Sequence, residues 1–138
     1  MSPSEDRRAI EALIDAYTEG FRALDAAQLT RIWDKTYPGL LYTPVEYAEP
    51  LRGWQAIASY YQQVTTLFSQ VSMMQVSDLN IDLLGDVAYA FFTFRFAGEM
   101  RGGPASFQAR GRNTVLFRRT GAGWRGIHYH ESARPDWH

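Results

Sequence analysis

The hydrophobic residues in the first part of the chain recur at helical spacing. They occupy positions i, i+3, i+4, i+7, i+11 and i+14, which places them on one face of an α-helix: Ile10, Leu13, Ile14, Tyr17, Phe21 and Leu24. Ser2, Pro3 and Glu5 supply an N-cap, a proline at the first helical position and a capping-box carboxylate. The pattern predicts an amphipathic first helix of about six turns.

Two further helices are predicted before residue 70. Asp25 is suited to cap a shorter helix that carries Leu29, Ile32 and Trp33 and ends before Pro38. A short strand over 40–45 and a loop over 46–53 follow. The third helix begins at Trp54 and carries a second apolar stripe, namely Trp54, Ile57, Tyr60, Tyr61, Val64, Leu67 and Phe68.

From residue 71 onward the hydrophobic pattern changes to period two, which is typical of strands. Glycine-containing turns divide this part into four strands, at 71–84, 87–97, 105–119 and 124–133. A bulge is expected near Ser77 and Asp78. Helices that precede a run of strands predict the α+β class, a single domain over 1–138 in which a curved antiparallel sheet carries its helices on one face.

The strand that begins at Val87 is apolar on both faces. One face carries Tyr89, Phe91, Thr93 and Arg95, and the other carries Ala88, Ala90, Phe92, Phe94 and Phe96. A sheet with helices on one side only should present polar residues on its other side. A second copy of the chain is the simplest cover for the extra apolar face, so we predict a homodimer; the C-terminal tail packed on that face would be the alternative cover.

Composition and charge narrow the range of partners. The chain has 138 residues, 46% of them hydrophobic, and a formal net charge of −1, which gives no electrostatic footprint for nucleic acid or an anionic membrane. No signal peptide and no apolar stretch of about 20 residues is present, so a cytoplasmic protein is expected. The sequence contains no cysteine, which excludes disulfides and thiolate chemistry.

Two stretches carry a family resemblance. One is Leu51-Arg-Gly-Trp-Gln-Ala-Ile57 with Tyr60 and Tyr61 behind it, and the other is Gly123-Trp-Arg-Gly-Ile-His-Tyr-His-Glu-Ser132. With the order of the elements, they resemble the nuclear transport factor 2-like superfamily, and within it the SnoaL-like and ketosteroid-isomerase-like proteins. The ending from Trp124 to Pro135 is also similar to the association domain of calcium/calmodulin-dependent kinase.

The resemblance implies a fold and a range of functions. The fold is a cone of the cystatin-like type, in which a strongly curved antiparallel sheet wraps around a long N-terminal helix and leaves a pocket at the open end. Such proteins include isomerases, polyketide cyclases, dehydratases and epoxide hydrolases, besides proteins that only bind or assemble. The fold therefore does not determine the reaction, which must be inferred from the residues of the site.

The isomerase pattern matches the chain only in part. Tyr17 lies eight residues before Asp25, the spacing at which the family places a tyrosine that donates to a developing oxyanion. Asn113 takes the place of the second donor, a protonated aspartate. Thr43 is nearest to the position of the general base and cannot act as a carboxylate does. The resemblance therefore does not imply steroid isomerase activity.

His128 and His130 raise the question of a metal or a catalytic pair. They share one face of the last strand, but a metal needs a third ligand and the chain's remaining histidine is His138, so no metal or cofactor is expected. In one register Ile127, Tyr129 and Glu131 face the pocket, together with Tyr89, Phe91, Thr93, Arg95 and Asn113 of the neighbouring strands. A bulge at Gly126 would instead bring in His128, His130 and Arg112. We favour the first register.

The sequence thus predicts a protein that binds an apolar or aromatic small molecule carrying an oxygen. An enzyme of this kind would isomerise, cyclise or dehydrate a carbonyl compound, with Glu131 or His130 as the base and Tyr17 and Asn113 as hydrogen-bond donors. The expected ligand contacts are Phe21, Trp33, Tyr42, Tyr89, Phe91, Arg95, Arg112, Ile127, His128 and Tyr129. The alternative is a non-catalytic binding or assembly module like the kinase association domain.

Overall fold

Three helices and a six-stranded sheet make up the computed structural model, which describes residues 2–103 and 105–135. His138 lies outside the described residues. The elements in chain order are α1 (Pro3–Ala23), α2 (Ala26–Leu29), β1 (Leu41–Thr43), β2 (Leu51–Arg52), α3 (Trp54–Leu67), β3 (Phe68–Leu84), β4 (Val87–Met100), β5 (Ser106–Thr120) and β6 (Gly123–Ala133). The α+β class is confirmed.

The two predicted helix starts are confirmed, but α2 is shorter than expected. Ser2 Oγ accepts a hydrogen bond from Glu5 N at 3.2 Å and completes the capping box of α1, while Asp25 caps α2 through Gln28 N. However, α2 ends at Leu29. Beyond it the backbone pairs with β6, since Gly126 N donates to the carbonyl of Ile32 at 2.6 Å. Tertiary pairing with a strand therefore replaces the last predicted helical turn.

The sheet has the order β2-β1-β6-β5-β4-β3. All neighbouring strands are antiparallel except β1 and β6, so the predicted antiparallel sheet is in fact mixed. Helix α1 packs against β3 and also contacts β6. These strands are three spacings apart, roughly 14 Å in a flat sheet, so the sheet must curve around the helix to reach it from both sides.

Strand β3, which forms one edge of the sheet, is irregular. The predicted bulge is confirmed, because the pairing of β3 with β4 shifts between Ser77 and Asn80, and Asp78 has a φ of 55°. The arginines of α1 bind carbonyl groups of the same strand: Arg22 Nε donates to Met74 O at 2.9 Å, and Arg7 donates to Ile81 O at 2.6 Å. The helix is thereby tied to the far edge of the sheet.

The inner face of β4 is the opposite of the one we predicted. Phe92 pairs with Asn113, which pairs with Glu131, so the buried residues Ala88, Ala90, Phe92, Phe94 and Phe96 face the interior. The prediction that placed Tyr89, Phe91, Thr93 and Arg95 inside is wrong. Because both faces of this strand are apolar, alternation cannot select the inner one, and the register of pairing decides it.

A bulge in β6 sets the faces of the last strand. Leu116 pairs with His128 and Phe117 with Gly126, which leaves Ile127 as the extra residue. Trp124 and Gly126 before the bulge and Tyr129 after it are all buried. The structure therefore contains a bulge beside Gly126, but its effect is to bring Tyr129 and Glu131 inward and to leave His128 and His130 on the outer face.

An ionic cluster joins the start of α1 to the last two strands. Both oxygens of Asp6 accept hydrogen bonds from Arg119 at 2.9 Å, and Trp124 Nε1 donates to Asp6 Oδ1 at 3.0 Å. These hydrogen bonds lower the pKa of the Asp6 carboxyl to about 2. A carboxylate whose pKa is lower in the folded than in the unfolded state stabilises the fold above its unfolded pKa.

The stabilisation from Asp6 should disappear between about pH 4 and about pH 2, as the folded carboxylate is protonated. We expect Asp6→Asn to lower the free energy of unfolding at pH 7 and to weaken its pH dependence in this acid range, measured by urea denaturation. Asp86→Asn is the matched control, because Asp86 also binds Arg119 but has a side chain that is 87% exposed. Equal effects of the two substitutions would contradict the assignment.

Candidate functional site

An apolar cavity of about 250 Å³ lies between α1, α3 and the inner face of the sheet. Its mouth is formed by Val45, Leu67 and Phe107, whose side chains are 39%, 47% and 42% exposed. An apolar cavity of about 150 Å³ can bind benzene, so this one has room for a single substituted ring. The other apolar lining residues are Phe21, Val64, Phe68, Met74, Phe94, Phe96, Met100 and Ala109.

Regularly spaced residues of α3 and β4 form part of the apolar walls. Tyr60, Val64 and Leu67 come from one face of α3 at i, i+4 and i+7, and Phe94 and Phe96 alternate on β4. The ring of Phe94 lies directly over Gly111 of β5, where a Cβ atom would come within 2.6 Å of it. A glycine at this position therefore lets the aromatic wall approach the sheet.

Glu131 is the polar group at the inner wall of the cavity. Its Oε1 accepts a hydrogen bond from Val45 N at 2.8 Å, and its Oε2 accepts one from the hydroxyl of Tyr129. Asn113 Nδ2 donates in turn to the Tyr129 oxygen at 2.8 Å, while Asn113 Oδ1 accepts no hydrogen bond from the described residues. The three side chains form an ordered relay that ends on the carboxylate.

The pKa of the Glu131 carboxyl is raised above its ordinary value. Burial of the group is the largest cause, and the negative charge of Glu46 adds to it, while the hydrogen bonds from Tyr129 and Val45 oppose it. A carboxylate with a raised pKa binds a proton more readily than an exposed one. Glu131 is therefore a better proton acceptor than an ordinary exposed carboxylate.

Aromatic side chains surround this carboxylate. The rings of Tyr42 and Tyr129 stack with centroids 4.1 Å apart and planes inclined by 7°. Behind them the hydroxyl groups of Tyr17 and Tyr42 lie 2.5 Å apart, and Trp33 Nε1 donates to the hydroxyl of Tyr61 at 2.8 Å. Burial raises the pKa of the Tyr17, Tyr42 and Tyr129 hydroxyls, which keeps them protonated.

A second carboxylate lies at the mouth of the cavity. Glu46 is exposed on the loop after β1, and its Oε2 accepts a hydrogen bond from the hydroxyl of Tyr60 at 2.8 Å. Neither residue is among the sites predicted from the sequence. The stripe on α3 indicated that Tyr60 faces inward. Glu46 could be expected from its loop either to fold over the pocket mouth or to be a solvated charge, and the sequence favoured the solvated charge.

The structure divides the predicted site residues into four groups. Phe21, Tyr42, Tyr129 and Glu131 line the cavity, whereas Tyr17, Trp33 and Asn113 are buried behind its wall. Ile127 is the bulge residue of β6 and does not line the cavity. The remaining predicted contacts lie on the outer face of the sheet, namely Tyr89, Phe91, Arg95, Arg112, His128 and His130.

The histidines belong to a shallow groove on that outer face. His128 and His130 line it together with Phe91, Arg112 and Ser132, and Arg112 Nε donates to Ser132 Oγ at 3.0 Å. Partial burial and the neighbouring His130 lower the pKa of His128. Within residues 2–103 and 105–135, no group of three or more His, Asp or Glu side chains is placed to hold a metal ion.

Solved structures share this fold at low sequence identity. A nuclear transport factor 2-like superfamily protein from Salmonella enterica serovar Typhimurium aligns with 20% identity and a TM-score of 0.86, over 99% of this chain and 96% of that one. A protein with a cystatin-like fold from Novosphingobium aromaticivorans aligns with 26% identity and a TM-score of 0.76, over 96% and 84% of the two chains. The cystatin-like cone is therefore confirmed.

The resemblance to the kinase association domain also has a structural counterpart. A Thiobacillus denitrificans protein, whose name proposes a calcium/calmodulin-dependent protein kinase type II association domain, aligns with 20% identity and a TM-score of 0.73, over 91% of this chain and 94% of that one. At this identity the likeness shows the fold alone.

Sequence comparison identifies the family. No curated protein matches the chain significantly. Among the described residues, no helix has the length and apolar character needed to cross a membrane. The family model of the SnoaL-like domain matches residues 10–135, nearly the whole chain and all of the elements that line the cavity except the first turns of α1. The chain belongs to the SnoaL-like domain family.

Proposed function

We propose that the protein binds a small, largely apolar molecule in the cavity and transfers a proton on it with Glu131 as the base. The observation that carries this proposal is the position of Glu131, a carboxylate with a raised pKa on the inner wall of a largely apolar cavity. Ligand sites combine apolar walls with a few polar groups, and groups with shifted pKa values are often found at such sites.

Isomerisation is the reaction that this arrangement supports best. The Glu131 carboxylate takes a proton from a carbon next to an electron-withdrawing group, and the electron pair of the broken C–H bond forms a new double bond. The same carboxyl group then returns the proton to a second carbon as the double bond moves. Atoms and charge balance without a further reactant, whereas dehydration also requires an acid for the departing hydroxyl.

Asn113 and Tyr129 are positioning residues in this proposal. Tyr129 holds Glu131 Oε2, and Asn113 fixes the direction of the Tyr129 hydroxyl by donating to its oxygen. Tyr17 lies behind Tyr42 and does not line the cavity. Its hydroxyl contacts the hydroxyl of Tyr42, so it can affect the site only through that residue. His130 is not included, since it lies on the outer face of the sheet.

Glu131→Gln should abolish proton transfer while leaving the cavity intact, because glutamine has the same shape and cannot act as a base. The measurement is deuterium uptake by a panel of small cyclic ketones and enones in D2O, followed by NMR. We expect the rate to fall by roughly 100-fold to 10,000-fold. His130→Ala is the control and should retain the rate of the unaltered protein.

The outcome also separates catalysis from binding alone. Equal rates in the unaltered protein, Glu131→Gln and His130→Ala would favour the non-catalytic binding or assembly module. Ala109→Phe places a ring in the cavity and should remove both binding and proton transfer, since Ala109 is one of its lining residues.

Tyr129→Phe should raise the pKa of Glu131 further, because it removes a hydrogen bond that stabilises the ionised carboxylate. It also leaves the Asn113 amide without its acceptor, so the free energy of unfolding should fall by about 1–3 kcal/mol. NMR titration of labelled glutamate and urea denaturation measure the two effects. Tyr47→Phe is the matched control, since the Tyr47 hydroxyl donates to Gln63 at the surface at 3.4 Å. A Glu131 pKa that does not move in Tyr129→Phe would contradict the relay.

We also propose that the outer face of the sheet forms a homodimer. Tyr89, Phe91 and Leu116 lie side by side there and remain only half-buried in the single chain. Light scattering should give the mass of two chains, and Phe91→Glu should give the mass of one because it places a charge in the apolar contact. A monomeric unaltered protein would exclude this arrangement.

A further inference from the structure

The hydrogen-bond donors around the cavity are already in use. The Tyr60 hydroxyl donates to Glu46, while the Tyr129 hydroxyl and the Val45 amide both donate to Glu131. The hydroxyl of Tyr42 is engaged with that of Tyr17, 2.5 Å away. The polar surface offered to a ligand therefore consists of acceptors, chiefly the remaining lone pairs of two carboxylates.

The charged residues around the cavity also favour a ligand that donates hydrogen bonds. Its lining residues, all within the described part of the chain, include Glu46 and Glu131 but no Lys, Arg or His. The two carboxylates are close enough that the charge of Glu46 raises the pKa of Glu131. An anionic ligand would meet two like charges, whereas a cation would relieve their mutual repulsion.

Aromatic rings stand beside these carboxylates. Tyr42 lies between Tyr60, with ring centroids 5.4 Å apart, and Tyr129, with centroids 4.1 Å apart. All three rings line the cavity. The faces of tyrosine rings attract cations. Because Tyr42 and Tyr129 stack on each other, their facing surfaces are covered and only their remaining surfaces and the ring of Tyr60 can contribute.

We propose that the ligand is an apolar amine, bound as an ammonium ion between Glu46 and Glu131 with its hydrocarbon part among the phenylalanines of the cavity. An ammonium group brings three donors and no acceptor, which matches a surface of acceptors. The side-chain donors of the described lining residues are engaged, so a carbonyl compound would be held there by its apolar part without such a hydrogen bond. The inference rests on the cavity being the ligand site, as proposed above, and it names the class of ligand.

The amine also fits the proposed proton transfer. A positive charge near Glu131 favours the ionised carboxylate, which is the form that accepts a proton. The carbon that loses the proton still lies next to an electron-withdrawing group, as in the isomerisation described above, and that group takes up the electron pair. The ammonium group contributes only its positive charge, which offsets the negative charge that develops on the substrate.

Three ligands of nearly equal shape test the proposal: benzylamine, benzyl alcohol and benzoate, titrated into the full chain by calorimetry or NMR. We expect benzylamine to bind at least about tenfold more tightly than benzyl alcohol, and benzoate to bind most weakly, because charge-assisted hydrogen bonds are stronger than neutral ones. Glu46→Gln and Glu131→Gln should each reduce the preference for the amine. Glu49→Gln is the matched control, since Glu49 lies in the same loop and does not line the cavity.

The outcomes separate this inference from the proposed function. Equal binding of benzylamine and benzyl alcohol, abolished by Ala109→Phe, would overturn the amine inference and leave the cavity as the ligand site. The tightest binding by benzoate would overturn it as well. If none of the three binds, or if Ala109→Phe has no effect on their binding, both proposals fail. A preference for the amine that survives both Glu46→Gln and Glu131→Gln would place the ammonium elsewhere and overturn the inference.

Discussion

The hydrogen bonds to the Glu131 carboxylate are the constraint on which the site depends. A partly buried carboxylate is unfavourable unless donors surround it, and here one donor is the backbone of Val45 and the other is Tyr129. The first of these joins the loop after β1 to the last strand and so fixes one side of the cavity mouth. The second holds the stacked pair of Tyr42 and Tyr129 in place beside the acid. The hydrogen bonds that stabilise the Glu131 carboxylate therefore also determine the shape of the cavity mouth.

The size of the side chains along β4 explains why one end of the cone is filled and the other is hollow. Ala88 and Ala90 are fully buried at the start of the strand, where their small side chains allow close packing. Phe94 and Phe96, further along the same face, are large and hold the opposing elements apart. The cavity lies at this end of the strand, where both rings line it.

The local sequence was sufficient to predict the features of the fold that depend on a few neighbouring residues. The capping box at Ser2 and the bulge near Asp78 are of this kind, because their hydrogen bonds and φ angles arise within a single turn of chain. The length of α2 was not predictable in this way, since the backbone of Ile32 pairs with a residue more than ninety positions later in the chain. The position of Glu46 likewise depends on a contact with Tyr60 that only the folded chain creates.

The choice between histidine and glutamate chemistry depends on one residue of the last strand. His128, Tyr129, His130 and Glu131 alternate between the two faces, so the sequence offers an imidazole pair on one face and a phenol with a carboxylate on the other. Trp124 must point inward, because its indole nitrogen binds Asp6 at the start of α1. If the strand continued its regular alternation through Ile127 instead of bulging there, His128 and His130 would turn inward as well. The bulge reverses the alternation between Gly126 and His128, and so it determines that the cavity is acidic.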